Sequence, residues 1–228
     1  MNPKSIILAL LFVTSGIFYY YFTGATADII TIEISQVIDG DTAKSTDGQT
    51  IRFLGINTPE KSMPFSEDAT DFLEKQILNK QIQIESYGVG KYGRTLAYVF
   101  IDDKNINKEI LLQGLASLYY YEEDKYYDDL KQAEEFARLN QKGIWKKSPD
   151  ENCVELIELK TSEPEKIILQ NNCDKTIQIT FKDDATHTYH TTLNPNSQFT
   201  KQFSHIWNDA GDSIYVSDDK GLLIFYRY

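Results

Sequence analysis

Residues 37–60, VIDGDTAKSTDGQTIRFLGINTPE, decide how this chain is read. Asp39, Asp41, Asp47 and Glu60 share the stretch with Arg52 and Asn57, and apolar residues fall between them in strand-like runs. Val37–Ile38 is a β-branched pair that leads into the tight Asp39–Gly40 turn. The run IRFLGI carries Arg52 one residue inside its start, and Asn57-Thr58-Pro59-Glu60 ends it. A hairpin through Thr46-Asp47-Gly48-Gln49 would bring Asp41 and the 57–60 cluster to one end of a small sheet. Hard oxygen ligands beside a guanidinium at a sheet end suit a divalent cation and a phosphate. Two ordinary turns with solvated acids would present the same residues.

Working outward, IITIEISQVI (29–38) alternates apolar and polar residues and reads as a strand. After the hairpin the period changes. In Pro64–Leu78, residues Phe65, Ala69, Phe72, Leu73, Ile77 and Leu78 fall on one helical face, with Ser66 as the expected N-cap. Gln81–Tyr87 and Arg94–Ile101 are strands around a glycine-rich turn, Gly88-Val89-Gly90-Lys91-Tyr92-Gly93. Ile106–Leu115 and Tyr126–Asn140 are helices, Gln141-Lys142-Gly143 ends the second, and Ser117–Tyr121 is extended. This is the pattern of a small five-stranded barrel with three helices, over 29–147. A polar stretch broken twice by proline, 148–164, reads as a linker. Over 165–228, short runs at Lys166–Leu169, Ile177–Phe181, Thr188–Thr192, Ser213–Ser217 and Leu222–Tyr226 alternate with turn signals, which predicts a small antiparallel sandwich.

At the N-terminus, Lys4 precedes an uncharged apolar run, Ile6–Phe22. Its length fits a short membrane span or a long signal core, and Ala25-Thr26-Ala27 offers a cleavage site. Residues 1–28 are therefore expected to be a signal peptide or a membrane anchor, with residues 28–228 outside the cytoplasm. Cys153 and Cys173 could form one disulfide there, or remain two buried thiols. The net charge is −11 and neither half of the chain is basic, which argues against tight nonspecific binding of nucleic acid. His187, His190 and His205 lack metal-ligand spacing, and Trp207 is expected in a core rather than on a ligand.

The motifs VIDGDT, RFLGINTPE and KYGRTLAY, with the later LLQGLA and GIW, resemble the staphylococcal (micrococcal) nuclease, or thermonuclease, family over about 30–147. The resemblance implies an OB-fold barrel and calcium-dependent cleavage of DNA and RNA to 3′-phosphates. It further implies that Asp41, Asn57 and the backbone carbonyl of Thr58 hold Ca²⁺. Glu60 would activate the attacking water, and Arg52 and Arg94 would neutralise the scissile phosphate. Lys91, Tyr92 and Tyr120 would contact the nucleotide. Asn57 is a departure: the staphylococcal enzyme has an aspartate there, so metal affinity should be lower and calcium needed at millimolar levels. Residues 164–228, through NNCDKTIQI and HIWNDAGDSIYVSDDKGLLIFY, resemble a lamin-tail domain, an immunoglobulin-like sandwich that implies binding of a ligand not named by the sequence. Two functions follow as expectations. One is an exported nuclease; the other is a silent, surface-tethered barrel that binds nucleic acid or protein.

Overall fold

The computed structural model describes residues 28–120, 124–185, 187–208 and 211–228. The expected signal or anchor segment lies outside them up to residue 27. Among the described residues no helix is long and apolar enough to cross a membrane.

The alternating run at the start forms β1, Asp28–Asp39, followed by β2, Thr42–Ser45, and β3, Thr50–Phe53. The hairpin is as read: Thr42 pairs with Arg52 and Lys44 with Thr50, and Gly48, at φ 92°, turns the chain. β4, Ile56–Asn57, follows at once. Helix α1, Ser66–Ile77, then leads to β5, Gln81–Val89, and β6, Thr95–Ile101. β7, Lys104–Asn105, α2, Ile106–Leu112, β8, Ser117–Leu118, and α3, Tyr127–Leu139, complete the first unit. The main sheet runs β3-β2-β1-β5-β6-β7, and a parallel pairing of β3 with β6 closes the first five strands into a barrel. Closure removes the open sheet edges. Its core is mostly aliphatic, with Ile34, Ile51, Ile56, Ile84 and Ile110 fully buried beside Tyr98 and Phe53. Each such isoleucine is worth about 1.5–3 kcal/mol of burial.

Ser66 is not the cap of α1. Phe65 occupies that position at φ 68°, with no side-chain cap bond, and Ser66 is already helical. Helix α3 ends through Gln141, at φ 51°, before Gly143 opens the short turn that buries Trp145.

The second unit is a two-sheet sandwich. β9, Val154–Lys160, β10, Glu165–Asn171, β11, Ile177–Lys182, β12, Thr188–Leu193, β13, Gln198–Phe203, β14, Ser213–Ser217, and β15, Leu222–Arg227, form it. One sheet runs β13-β10-β9 and the other β12-β11-β14-β15. The stretch expected to be a linker therefore contains a strand: Leu156 and Leu159 face the sandwich core, and the prolines at 149 and 164 bracket the strand rather than dissolve it. The core is aromatic, with Phe181, Tyr189, Phe199, Phe203 and Trp207 in mutual contact. Trp207 is buried there, as expected. Cys153 and Cys173 are joined, Cα to Cα 5.2 Å, which resolves the two alternatives in favour of a disulfide.

A third, smaller core joins the units. Trp145 lies against Tyr215 and Phe225, with ring centroids 5.9 and 5.0 Å away. Arg227 of β15 makes a paired contact with the buried carboxylate of Glu134 on α3, at 2.6 and 3.1 Å. Gly221 permits the approach: a Cβ there would stand 2.5 Å from the carbonyl oxygen of Lys146.

Candidate active site

Asp41 leaves the Asp39–Gly40 turn at the mouth of the barrel and is buried. Gly40 is needed for this turn, because a Cβ would meet Ala69 at 2.6 Å and Thr58 at 2.9 Å. The carboxylate Oδ2 of Asp41 accepts from the backbone N–H and the hydroxyl of Thr58, both at 3.0 Å. Its Oδ1 accepts from the Thr42 hydroxyl at 3.0 Å. The guanidinium of Arg52 pairs with Oδ2 at 3.2 Å and donates to Asn57 Oδ1 at 3.2 Å. The hairpin thus gathers Asp41, Arg52, Asn57 and Thr58 into one hydrogen-bonded group. Asp39 lies behind it and accepts from the Asp41 N–H. Burial, and then the charge of Asp41, push the Asp39 carboxyl above the ordinary range.

Glu60, two residues beyond Thr58, is exposed and lines one cavity with Asn57 and Thr58. Arg94 immediately precedes Thr95, which pairs with Ile51 next to Arg52, so barrel closure sets the two arginines on adjoining strands. The Nε of Arg94 is buried without a hydrogen-bond partner among the described residues, and its guanidinium carbon is 5.8 Å from the Tyr92 ring centre. Lys91 and Tyr92 are in the short helical turn before it, with Tyr92 at φ 67° and 81% exposed. No hydrogen bond or ion pair links Arg94 to the Asp41 group among the described residues.

Tyr120 belongs to a different network. Its hydroxyl is 2.6 Å from that of Tyr98 and donates to Asp124 at 3.1 Å. Burial, and the Asp124 charge, push its pKa up. Nearby, Glu85 is ringed by Tyr87, Tyr126 and Lys125 at 2.6–2.7 Å. Tyr121 lies outside the described residues.

Asn57 shows why an amide suits this chain. Its Oδ1 faces Arg52, while its Nδ2 donates to the backbone carbonyl of Asp184 in the second unit, at 2.9 Å. A carboxylate could accept from Arg52 but would meet the Asp184 carbonyl with a second acceptor. The residue that departs from the staphylococcal pattern is hydrogen-bonded to the second unit. The sequence could not reveal this, because the partner is a backbone atom 127 residues away.

The same junction encloses a cavity of about 330 Å³. Asn57, Thr58 and Glu60 line it from the barrel; Lys182, Tyr215 and Leu222 line it from the sandwich. Lys182 donates to the Asp183 carbonyl at 3.1 Å and stands 4.8 Å over the Tyr215 ring. Burial lowers the pKa of its ammonium, while the charges of Asp184, Asp183, Glu60 and Asp212 oppose the shift. Lys182 had no place in the sequence motifs.

No group of three or more His, Cys, Asp or Glu residues suited to a metal occurs among the described residues. The donors at the barrel mouth are nevertheless all hard oxygens: the Asp41 carboxylate, Asn57 Oδ1 and the Thr58 carbonyl. They fit Ca²⁺ in kind, with a single formal charge and hence weak retention.

Comparison with known proteins agrees with this arrangement. The family model for staphylococcal nuclease homologues matches residues 50–147. A thermonuclease from Staphylococcus hyicus is 32% identical over 127 residues, covering 50% of this chain and 75% of the relative. A thermonuclease from Staphylococcus intermedius is 33% identical over 126 residues, again 75% of its length. The SPbeta prophage-derived endonuclease YokF of Bacillus subtilis is 34% identical over 136 residues, which is 46% of that protein. These matches, and the barrel that carries Asp41, Arg52 and Arg94, place the chain in the staphylococcal nuclease homologue family.

Proposed function

We propose that the chain is an exported, calcium-dependent endonuclease that hydrolyses phosphodiester bonds of DNA or RNA and leaves 3′-phosphates. Relatives named as thermonucleases and endonucleases support nuclease activity itself. The observation that carries the reading is the Asp41–Arg52–Thr58 group, with Glu60 open to solvent beside it.

Ca²⁺ bound by Asp41, Asn57 and the Thr58 carbonyl would supply positive charge toward the phosphoryl oxygens. Arg52 is held in place by Asp41 and Asn57 and can turn its remaining N–H groups to a phosphate oxygen. The unpartnered Nε of Arg94 provides a second donor for the charge that accumulates on phosphorus-bound oxygens. Glu60 accepts the proton of the attacking water as its oxygen bonds to phosphorus. The bond to the 5′ oxygen breaks, and that oxygen takes a proton from solvent. Exposed Tyr92 and the backbone turn at Lys91 border the approach of the strand.

Export is supported by the uncharged Ile6–Phe22 run and by the Cys153–Cys173 bond, which suits an oxidising compartment. The protein would be secreted, or held at the membrane by that run. The two-sheet second unit supports the lamin-tail-like reading and a binding role.

A second reading has one observation in its favour. Both oxygens of Asp41 are already engaged, and Asn57 is tied to Asp184, as in a barrel retained for binding alone. Digestion of DNA and RNA with Ca²⁺ or with chelator separates the two. Calcium-dependent cleavage that is lost in Glu60→Gln and Arg94→Ala supports the nuclease. No cleavage, or equal cleavage by both variants, supports the binding module. Full activity in chelator would remove calcium from the reading.

A further inference from the structure

The cavity between barrel and sandwich is lined by Asn57, Thr58 and Glu60, yet a barrel alone would not form it. Asn57, Thr58 and Glu60 belong to the first unit, whereas Lys182, Tyr215 and Leu222 belong to the second. Its volume, about 330 Å³, is within the range of ordinary ligand pockets, about 300–1,000 Å³. Most of its surface is apolar, from Met63, Pro64, Phe65, Ile144 and Leu222.

Its charges divide by partner. Glu60, Asp218 and Asp219 line it, and so do Lys146, Lys182 and Lys220. Lys220 is engaged by Asp150 at 2.8 Å. Neither Lys146 nor Lys182 forms an ion pair among the described residues; Lys182 donates to a backbone carbonyl. Its strand, β11, is fixed by six pairs to β12 and by pairing of Lys182 itself with Tyr215 on β14. The strand is therefore fixed, and the Asp183 carbonyl and the Tyr215 ring seat the ammonium at its end. The ammonium makes no direct ion pair among the described residues, although the charges of Asp184, Asp183, Glu60 and Asp212 reach it; beside an apolar wall and next to a phosphodiester site, it matches one nucleotide: phosphate on the lysine, nucleoside against the wall.

We propose that Lys182 is a substrate-binding residue supplied by the second unit, and that the cavity is a nucleotide subsite adjoining the scissile phosphate. The proposal rests on the nuclease reading for the identity of the strand. Lys182 grips a backbone phosphate through charge and hydrogen bond. Met63, Phe65 and Leu222 cover the neighbouring nucleoside. The sandwich then extends the cleft and brings one local positive charge to it, in a chain that is acidic overall.

The test uses the full chain and a fluorescent single-stranded oligonucleotide. Lys182→Gln retains a donor for the Asp183 carbonyl and an apolar stem over Tyr215; Lys182→Arg keeps the charge. Binding is followed by anisotropy at several salt concentrations, and cleavage by initial rates with Ca²⁺. For Lys182→Gln the expected results are a Kd and KM raised about tenfold, a kcat within about twofold, and wild-type thermal unfolding. The slope of log Kd against log salt should shrink by about 0.7, the value for one phosphate contact on a single strand. Lys182→Arg should restore most of the loss. An unchanged salt slope and KM in Lys182→Gln overturns the proposal and leaves the nuclease reading standing. If the wild type does not cleave, the nuclease reading fails, and the salt slope of binding still decides whether Lys182 meets a phosphate. A slope that falls equally in Lys182→Arg also overturns it, because the charge would then be irrelevant.

Discussion

The barrel and the sandwich are built by opposite means. In the barrel, buried isoleucines alternate with polar residues along strands that close on themselves, and the polar group at its mouth comes from one hairpin and the turn after it. In the sandwich, a ladder of aromatic rings and a disulfide hold two open sheets, and the important polar atoms, Lys182 Nζ and the Asp184 carbonyl, leave the end of β11 toward the barrel. On the proposed reading the barrel positions the reacting groups, and the sandwich touches Asn57, the candidate side-chain ligand that lacks a charge.

The largest test of this division concerns chemistry. Glu60→Gln should lower kcat by about 10²–10⁴-fold, the scale of a general base, without moving the unfolding midpoint, because Glu60 is exposed. A loss of stability equal to the loss of rate would mean that Glu60 holds the fold instead. Oligonucleotide cleavage and urea unfolding of the same preparation measure both.

The next test breaks the junction. Arg227→Ala leaves the Glu134 carboxylate buried without its partner, and should cost about 3–5 kcal/mol in urea unfolding. Barrel and sandwich signals should shift together, since α3 and β15 share this contact. If only the sandwich signal moves, the two units are independent.

Cys153→Ser with Cys173→Ser should cost about 3 kcal/mol, as expected for a closed loop with a sequence separation of 20. Here the loss should appear in the sandwich transition first, leaving cleavage per folded molecule unchanged. An equal loss in the barrel transition would show that the disulfide supports the whole chain.

Asn57→Asp sharpens the contrast, because it should act in both directions. The added carboxylate lowers the calcium requirement, whereas the lost bond to the Asp184 carbonyl costs about 1–3 kcal/mol of stability. Calcium titration of the cleavage rate and thermal unfolding report the two effects. A variant that gains calcium affinity with no loss of stability would show that the amide does not hold the sandwich.

The smallest effect is one of pH. Burial raises the Asp183 and Asp184 carboxyls above their ordinary range. Both bind protons more readily folded than unfolded, so their contribution is complete below the ordinary carboxylate value and is lost as pH rises through the raised one. Unfolding midpoints should decline across that acidic window, and Asp184→Asn should flatten the decline. A midpoint that climbs throughout the window would contradict the sign.

Much of the barrel was legible because its determinants are local. Asp41, Arg52 and Thr58 lie on one hairpin and its exit, so strand alternation alone places them together. All three helices keep a 3.6-residue period, although the α1 cap falls on Phe65, since a serine just inside a helix looks like a serine just before it. In the sandwich, the two strands that escaped notice, β9 and β13, are the two edges of the three-stranded sheet. Edge strands carry lysine, glutamate and glutamine on their open sides, which dilutes alternation, and KTSEP looked like more linker. Lys182 was invisible for another reason: an ordinary lysine at a strand end acquires meaning only when a separate unit docks there.

Arg227 reaches Glu134 across 93 residues of chain. Glu134 also accepts from the Leu118 N–H, which sets β8 beneath α3. A nascent or truncated chain that stops before Arg227 therefore carries a buried, uncompensated carboxylate inside an otherwise complete barrel. The quality of the first unit depends on β15, a strand of the second. Loss of Arg227 should then be felt directly at β8, where the Leu118 carbonyl also accepts from its guanidinium at 3.4 Å.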